Sequence, residues 1–118
     1  MMTITDVIRD LGLSTIVPAQ EDIVVQGGYV SDLLSDVMGR AEAGSVWVTV
    51  QSHQNIVAVA ALADLAGIII VNGVQPEAAV ISKAREQGVA VYGTTGDAFN
   101  TVGKLYALGV MGRVKRDT

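Results

Sequence analysis

The sequence contains no cysteine, one histidine, two prolines and only 4% aromatic residues. Without cysteine, disulfides, thiolate metal sites, iron–sulfur clusters and a cysteine nucleophile are excluded. A single histidine also leaves too few nitrogen ligands for a conventional zinc site, so we expect no metal centre. Half of the residues are hydrophobic. The core must therefore consist mainly of Val, Ile, Leu and Ala, a composition typical of layered α/β packing.

Long apolar runs and clustered positive charge are also scarce. No basic segment followed by an apolar core begins the chain, and no apolar run approaches the roughly 18 residues that span a bilayer. We therefore expect a cytoplasmic protein with no membrane partner. The net charge is −4, which provides no basic face for nucleic acid. The one basic cluster, Arg113, Lys115 and Arg116, lies in the C-terminal tail 112–118, which we expect to be solvated.

The 118 residues are enough for one domain with a single core. A short helix is predicted over 5–11, with Thr5 as its N-cap and Gly12 as its stop. A strand is predicted next at Ser14, closed by Pro18. A second strand is predicted over 22–28, ending in two glycines.

The rest of the chain alternates between helical and strand patterns. Apolar residues at helical spacing predict a helix over 29–44, with Ser31 or a neighbour as its cap. The segments that follow are a strand 45–51, a helix 55–65, a strand 68–71, a helix from Pro76 to Gly88, a strand 89–95 and a helix 96–110. In the last helix, Phe99 and Tyr106 are among the apolar positions assigned to packing. This order predicts a single α/β domain with a mostly parallel sheet and helices on both faces.

The helix predicted over 55–65 is apolar on nearly every face, with Asp64 as its only charged residue. Such a helix must contact either a second layer of its own domain or another subunit. Gly67 is expected to end it. Asp64 is interpreted as lying at the edge of the buried stripe or as receiving hydrogen bonds near a helix end, because unpaired carboxylates are rarely buried.

Polar residues follow several predicted strands, at the edge where open parallel sheets bind ligands. The candidate ligand-binding residues are Gly27, Gly28, Gln51, Ser52, His53, Asn55, Asn72, Gly73, Thr94, Thr95 and Asp97. Backbone donors and hydroxyls in this set are suited to a neutral or anionic small molecule. Helix caps and tight turns require the same residue types, so capping explains each residue as well as ligand binding does.

Catalysis has little support in the sequence. A nucleophile, base and acid would have to be built around Ser52 and His53, but adjacent residues in one turn seldom supply that geometry. There is no nucleophile elbow, Walker A loop or dinucleotide-binding glycine pattern. We therefore expect no catalytic residue, and an enzyme using His53 as acid or base is the least favoured alternative.

Three segments, in this order and spacing, resemble the DRTGG domain. They are GGYVSDLLSDVM, VWVTVQSHQNIVAVAALADLAGIIIVNGVQP and GVAVYGTTGDAFNTVGKLYALGV, and the resemblance covers about residues 20–110. It implies a fold similar to the N-terminal domain of HPr kinase/phosphorylase. It also implies a regulatory or ligand-sensing role without chemistry of its own. Related domains accompany CBS domains in some pyrophosphatases and the catalytic domain in some phosphotransacetylases, and some stand-alone members are associated with iron-hydrogenase genes.

The sequence departs from this family pattern at two turns. Where relatives often carry Asp-Arg followed by an acidic residue, this chain has Ser52-His53 and then Asn55. Where they often carry Thr-Gly-Gly, only Asn72 and Gly73 match. Replacing an obligate cation by an imidazole weakens the inference of tight phosphate binding.

We therefore expect a non-catalytic regulatory or accessory domain that binds a nucleotide or metabolite and forms a homodimer. The alternative is a homo-oligomeric protein-interaction module without a small ligand. The sequence specifies neither the ligand, nor a cofactor, nor the regulated partner.

Overall fold

Strands and helices alternate along the chain in the computed structural model, which describes residues 1–115. The helices are α1 (Ile4–Leu11), α2 (Leu34–Arg40), α3 (Asn55–Leu62), α4 (Ala78–Gln87) and α5 (Ala98–Ala107). The strands are β1 (Ser14–Val17), β2 (Gly27–Val30), β3 (Ser45–Thr49), β4 (Gly67–Ile70) and β5 (Val91–Gly93). They form one sheet in the order β1-β5-β4-β3-β2, in which only β1 is antiparallel to its neighbour. The predicted α/β fold with a mostly parallel sheet is confirmed.

The sheet is covered on both faces, and successive residues of β3 show how. Trp47 packs into the core beneath α2, α3 and α4, whereas Val46 and Val48 pack into the core beneath α1 and α5. All five residues of β3 are buried. Burial on both faces explains why the central strands appear in the sequence as continuous apolar runs.

The N-cap of the first helix lies two residues earlier than predicted, at Thr3. Thr3 and Asp6 form a capping box, because the Asp6 N–H donates to Thr3 Oγ1 at 3.3 Å and the Thr3 N–H donates to Asp6 Oδ2 at 3.0 Å. The bond from the Thr3 N–H holds the pKa of Asp6 below its ordinary value. The N-cap predicted at Thr5 is therefore wrong, whereas the stop at Gly12 is confirmed by its left-handed backbone, with φ of 65°.

The second strand and the helix after it differ from the prediction. No strand covers 22–28; β2 begins at Gly27, and α2 begins only at Leu34, without a side-chain cap. The segment before β2 bonds instead to the start of the chain, with the Val25 N–H donating to the Met2 carbonyl at 2.8 Å. Val30 therefore lies in the sheet, because pairing with β3 overrides the helical spacing of the residues that follow it.

Two helix ends also shift. α3 ends at Leu62, and Asp64 follows it with a φ of 56°, so Asp64 lies at the helix end as interpreted. Gly67 is the first residue of β4 and does not end the helix. Pro76 precedes α4 and is not in its first turn, whereas the stop at Gly88 is confirmed by a φ of 69°.

The C-terminal segment packs against the domain along the outer edge of β2. The Gly28 N–H donates to the Met111 carbonyl at 2.9 Å, and the Lys115 N–H donates to the Arg40 carbonyl at 2.8 Å. Residues 111–115 are all exposed, so the segment is hydrogen-bonded to the domain while its side chains stay in solvent. Arg116, the third residue of the basic cluster, lies outside the described residues.

Gly27 makes this packing testable. A Cβ at this position would lie 2.8 Å from Arg113 Cγ and 2.9 Å from the Met111 carbonyl oxygen. We expect Gly27→Ala to displace the C-terminal segment and to lower the free energy of unfolding by about 1–3 kcal/mol. Urea unfolding measures the loss, and hydrogen exchange at Gly28 reports the displacement.

Gly39→Ala is the matched control, because a Cβ on this α2 glycine meets nothing within 4 Å. Alanine is the better helix former, so this variant is expected to be as stable as the parent or slightly more so. Unchanged stability and unchanged Gly28 protection in Gly27→Ala would show that the segment does not hold its observed position in solution.

No described helix combines the length and the apolar character that crossing a bilayer requires.

Candidate ligand-binding site

The loops after β2, β3, β4 and β5 meet at one edge of the sheet, because the four strands are parallel. Backbone hydrogen bonds join them. The Asn72 N–H donates to the Gly96 carbonyl at 2.8 Å, and the Glu77 N–H donates to the Ser52 carbonyl at 3.1 Å. We call this edge the carboxyl rim and define it as residues 31–33, 50–55, 71–77 and 94–97. Nine of the eleven candidate residues lie in it: Gln51, Ser52, His53, Asn55, Asn72, Gly73, Thr94, Thr95 and Asp97.

Gly27 and Gly28 do not belong to the carboxyl rim. They begin β2 and pair with Ser45 and Val46, the first residues of β3. These two glycines therefore lie at the amino end of the parallel strands, at the opposite edge of the sheet. The strand boundary that placed them with the other candidates is wrong, and the reason for assigning them to a ligand site is removed.

Asp32 belongs to the carboxyl rim but is absent from the predicted set. Its Oδ1 accepts hydrogen bonds from Thr49 Oγ1 at 2.8 Å and from the Val50 N–H at 2.9 Å. Its own carbonyl accepts a bond from Gln51 Nε2 at 2.9 Å. Asp32 thus ties the loop after β2 to the loop after β3. Its position just after an apolar strand is the signal that selected the other candidates, but the misplacement of β2 hid it.

His53 takes part in the start of α3. Its Nδ1 accepts a hydrogen bond from the Asn55 N–H at 3.2 Å, and its carbonyl accepts one from the Ile56 N–H at 3.1 Å. The ring itself is exposed. Within residues 1–115, neither Ser52 nor a carboxylate forms a hydrogen bond with the ring. This geometry is that of a helix-capping residue and does not form a nucleophile–base–acid arrangement.

Several other candidates have structural roles in turns and caps. Asn72 and Gly73 have φ values of 62° and 66°, and the Val74 N–H donates to the Val71 carbonyl at 3.2 Å, as in a type I′ turn. The Asp97 carboxylate caps α5 by accepting a bond from the Asn100 N–H at 2.8 Å. For these positions, the capping and turn interpretation is correct. It leaves the Asn72 side chain exposed at the rim.

The charge of the carboxyl rim is acidic. None of its four loops contains Lys or Arg, whereas Asp32, Glu77 and Asp97 contribute carboxylates. His53 contributes the only imidazole among the rim side chains. No group of three His, Asp or Glu residues within the described chain is placed to hold a metal ion. The chemistry available at the rim is therefore hydrogen bonding through amides, hydroxyls and backbone groups.

Comparison with known proteins decides the family. The family model of the DRTGG domain matches residues 7–108. The chain belongs to the DRTGG domain family. The match begins inside α1 and ends one residue past α5. The resemblance predicted from the sequence is confirmed.

A solved structure shows the same fold. It contains the CBS and DRTGG domains of the regulatory region of Clostridium perfringens pyrophosphatase, complexed with its activator, diadenosine tetraphosphate. The TM-score is 0.73 at 16% sequence identity, covering 94% of this chain and 50% of that chain. This DRTGG chain thus spans half the length of that structure, and at this identity the likeness shows the fold alone. No curated protein matches the sequence.

Proposed function

We propose that this DRTGG domain is a non-catalytic regulatory domain that binds a small ligand at the carboxyl rim. The main support is the joining of four loops at one edge, where hydrogen bonds fix their backbones and leave exposed polar side chains. The DRTGG-containing neighbour is a regulatory region that binds a nucleotide. Because that region also contains CBS domains, its ligand supports a nucleotide class here without locating the site.

The charge of the rim narrows the proposed ligand. Phosphate groups are usually bound by Arg, Lys or a helix N-terminus without competing carboxylates. Here Asp97 already caps α5, and the rim loops have no Lys or Arg. The start of α3, where His53 already accepts from the Asn55 N–H, is the one N-terminus in the rim without a carboxylate in its cap or first turn. The rim is therefore better suited to the hydrogen-bonding groups of a nucleoside, namely its base edges and ribose hydroxyls, than to a phosphate chain.

The non-catalytic part of the proposal is supported by His53, whose Nδ1 accepts from the Asn55 N–H at the start of α3 and, among residues 1–115, is hydrogen-bonded to no nucleophile or acid. The cytoplasmic location and the link to redox or hydrogenase metabolism rest on the sequence and on the family resemblance. Both are part of the proposal: the domain is proposed to act in the cytoplasm and in redox or hydrogenase metabolism.

The proposal predicts that nucleosides and nucleotides raise the melting temperature of the domain. A ligand present at about 100 times its Kd adds about 2.7 kcal/mol of stability, which shifts the melting temperature by several degrees. The probes are adenosine, AMP, ATP and diadenosine tetraphosphate, with guanosine and GMP as a comparison. No shift with any of these compounds would reject the nucleotide class.

Asn72→Gly tests the site itself, because glycine keeps the left-handed turn and removes only the side-chain amide. Losing one hydrogen bond of about 1 kcal/mol is expected to weaken binding roughly fivefold, as measured by calorimetry. Gln20→Ala, which removes an exposed amide between β1 and β2 outside the rim, is the control and should leave the affinity unchanged. If both variants weakened binding equally, or if neither weakened it, the ligand would not be bound at the carboxyl rim.

A second candidate function is a homo-oligomeric interaction module without a small ligand. The sequence assigned this role to α3, but most of α3 is used within the domain. Its buried residues are Ile56, Val57, Val59 and Ala60. Leu62, with 76% exposure, is the one large apolar side chain that α3 leaves to solvent. The observation that favours a homodimer lies on α5.

A further inference from the structure

α5 has apolar residues on two opposite sides. Thr101 and Leu105 face the sheet and are only 4% and 3% exposed. Phe99 and Tyr106, which the sequence assigned to packing, are 86% and 59% exposed. Their spacing of seven residues places them, together with Gly103, on one stripe of the helix. The prediction that both aromatics pack within the domain is wrong, and an apolar stripe facing water requires a cover.

This stripe continues onto the sheet edge and contains a hollow. With Val30, the half-exposed last residue of β2, and with Val102, it lines an open cleft of about 550 Å³. A Cβ on Gly103 would meet nothing within 4 Å. Glycine weakens a helix relative to alanine, and packing inside the domain does not require it here. Gly103 leaves an empty space between two exposed aromatic rings.

We propose that this stripe packs against the same stripe of a second copy of the chain, with the two α5 helices antiparallel about a twofold axis. In a twofold contact, if residue i meets residue j, then j also meets i. An axis between Val102 and Gly103 places Phe99 against Tyr106 of the second copy. It also places Val102 against the second copy's Gly103. The bulky part of the stripe on one copy thus fits the hollow of the stripe on the other copy.

Charge supports a second copy in this orientation. The chain has a net charge of −4, so most faces of two copies repel. Between Ala98 and Ala107, however, α5 carries only one charged side chain, Lys104, in its last turn, and Asp97 caps its start. At about 100° per residue, both Asp97 and Lys104 point away from the stripe, so the contact surface itself carries no charge and two copies meet there without like-charge repulsion. The two helix dipoles also oppose each other in the favourable sense.

The size of the stripe fits a weak dimer. An aromatic side chain can bury about 150–250 Å², so the exposed parts of Phe99 and Tyr106 on two copies amount to roughly 600 Å². Val30, Val102 and the flanking backbone bring the contact toward the roughly 1,000 Å² of a specific interface. Dimerisation with a Kd in the micromolar range is therefore expected.

Analytical ultracentrifugation across the micromolar range, without added ligand, tests the proposal independently of ligand binding. The parent chain is expected to pass from monomer to dimer, and Phe99→Ser or Tyr106→Ser to weaken dimerisation roughly tenfold or more. Leu62→Ser is the matched control, because it removes a similarly exposed apolar side chain from α3, on the other face of the sheet. Circular dichroism confirms that each variant is folded.

The cysteine-free chain also allows the orientation to be tested. Gly103→Cys lies next to the proposed axis and is expected to form a disulfide-linked dimer under mild oxidation, whereas Leu62→Cys is expected to form no disulfide crosslink. A parent chain that is monomeric at every concentration overturns the proposal. So does a dimer lost in Leu62→Ser but kept in Phe99→Ser, or a dimer that Gly103→Cys does not crosslink. Adenosine-induced NMR shifts centred on Phe99 in a monomeric chain would instead assign the cleft to a ligand.

Discussion

Trp47→Ala is expected to lower the free energy of unfolding by about 3–5 kcal/mol, the largest effect of any substitution considered. Trp47 is 0% exposed at the centre of β3 and belongs to the core beneath α2, α3 and α4. Truncation leaves a cavity that the surrounding branched side chains cannot fill without moving the sheet. Urea unfolding followed by circular dichroism measures the loss, because the substitution removes the only tryptophan and its fluorescence.

Trp47→Phe separates packing from hydrogen bonding at the same position. The indole N–H donates to the Ser31 carbonyl at 2.8 Å, and phenylalanine cannot replace this bond. A part-buried carbonyl without a partner costs about 1–3 kcal/mol, so this variant should fall between the parent and Trp47→Ala. Increased hydrogen exchange at Leu33 would show that the loop after β2 has loosened. If Trp47→Phe matched the parent in both measurements, the indole would not position this loop.

Asp32→Ala is expected to have the largest effect on the carboxyl rim. It removes the acceptor of the Thr49 hydroxyl and of the Val50 N–H. A hydrogen bond to a charged group contributes about 1.5–3 kcal/mol to stability. We expect a loss of about 1–3 kcal/mol in the free energy of unfolding, because the site is partly solvated. The NMR chemical shifts of the Val50 and Gln51 backbone amides should also change in this variant.

Asp10→Ala is the control for Asp32→Ala. Asp10 also holds a neighbouring side chain, Arg9, at 3.0 Å, but this ion pair is on the surface, where water screens it, so its removal should change stability little. If the two variants lost the same stability, Asp32 would be an ordinary surface acid. If Asp32→Ala kept the full affinity for a ligand while the loops loosened, the ligand would not contact this part of the rim.

The parts of the fold that the sequence predicted correctly are those determined by local requirements. Both faces of β3 and β4 are covered, so their residues form continuous apolar runs, and Gly12 and Gly88 occupy left-handed positions that few other residues adopt. β2 was misplaced because its partner is distant in sequence. The pairing of Tyr29 with Trp47 fixes this strand, and local spacing contains no record of that contact.

The candidate site shows the same division. Most of the carboxyl rim was predictable, because parallel strands end at one edge whatever their order in the sheet. The roles of individual side chains were not predictable. The hydrogen bond between Thr49 and Asp32 joins β3 to the loop after β2, and the ring of His53 accepts a bond from the backbone two residues further on. For α5, spacing shows that Phe99 and Tyr106 share a stripe. It does not show which stripe faces the sheet, since both are apolar.

The short backbone segment from Val25 to Gly28 receives both ends of the described chain. Its Val25 N–H bonds to Met2 at 2.8 Å, and its Gly28 N–H bonds to Met111 at 2.9 Å. The two ends are therefore coupled through one shared support, although more than a hundred residues separate them in sequence. Fraying of either end removes part of the order on which the other depends. We therefore expect the first and last described segments to open together, so that a fusion attached at either end should perturb both.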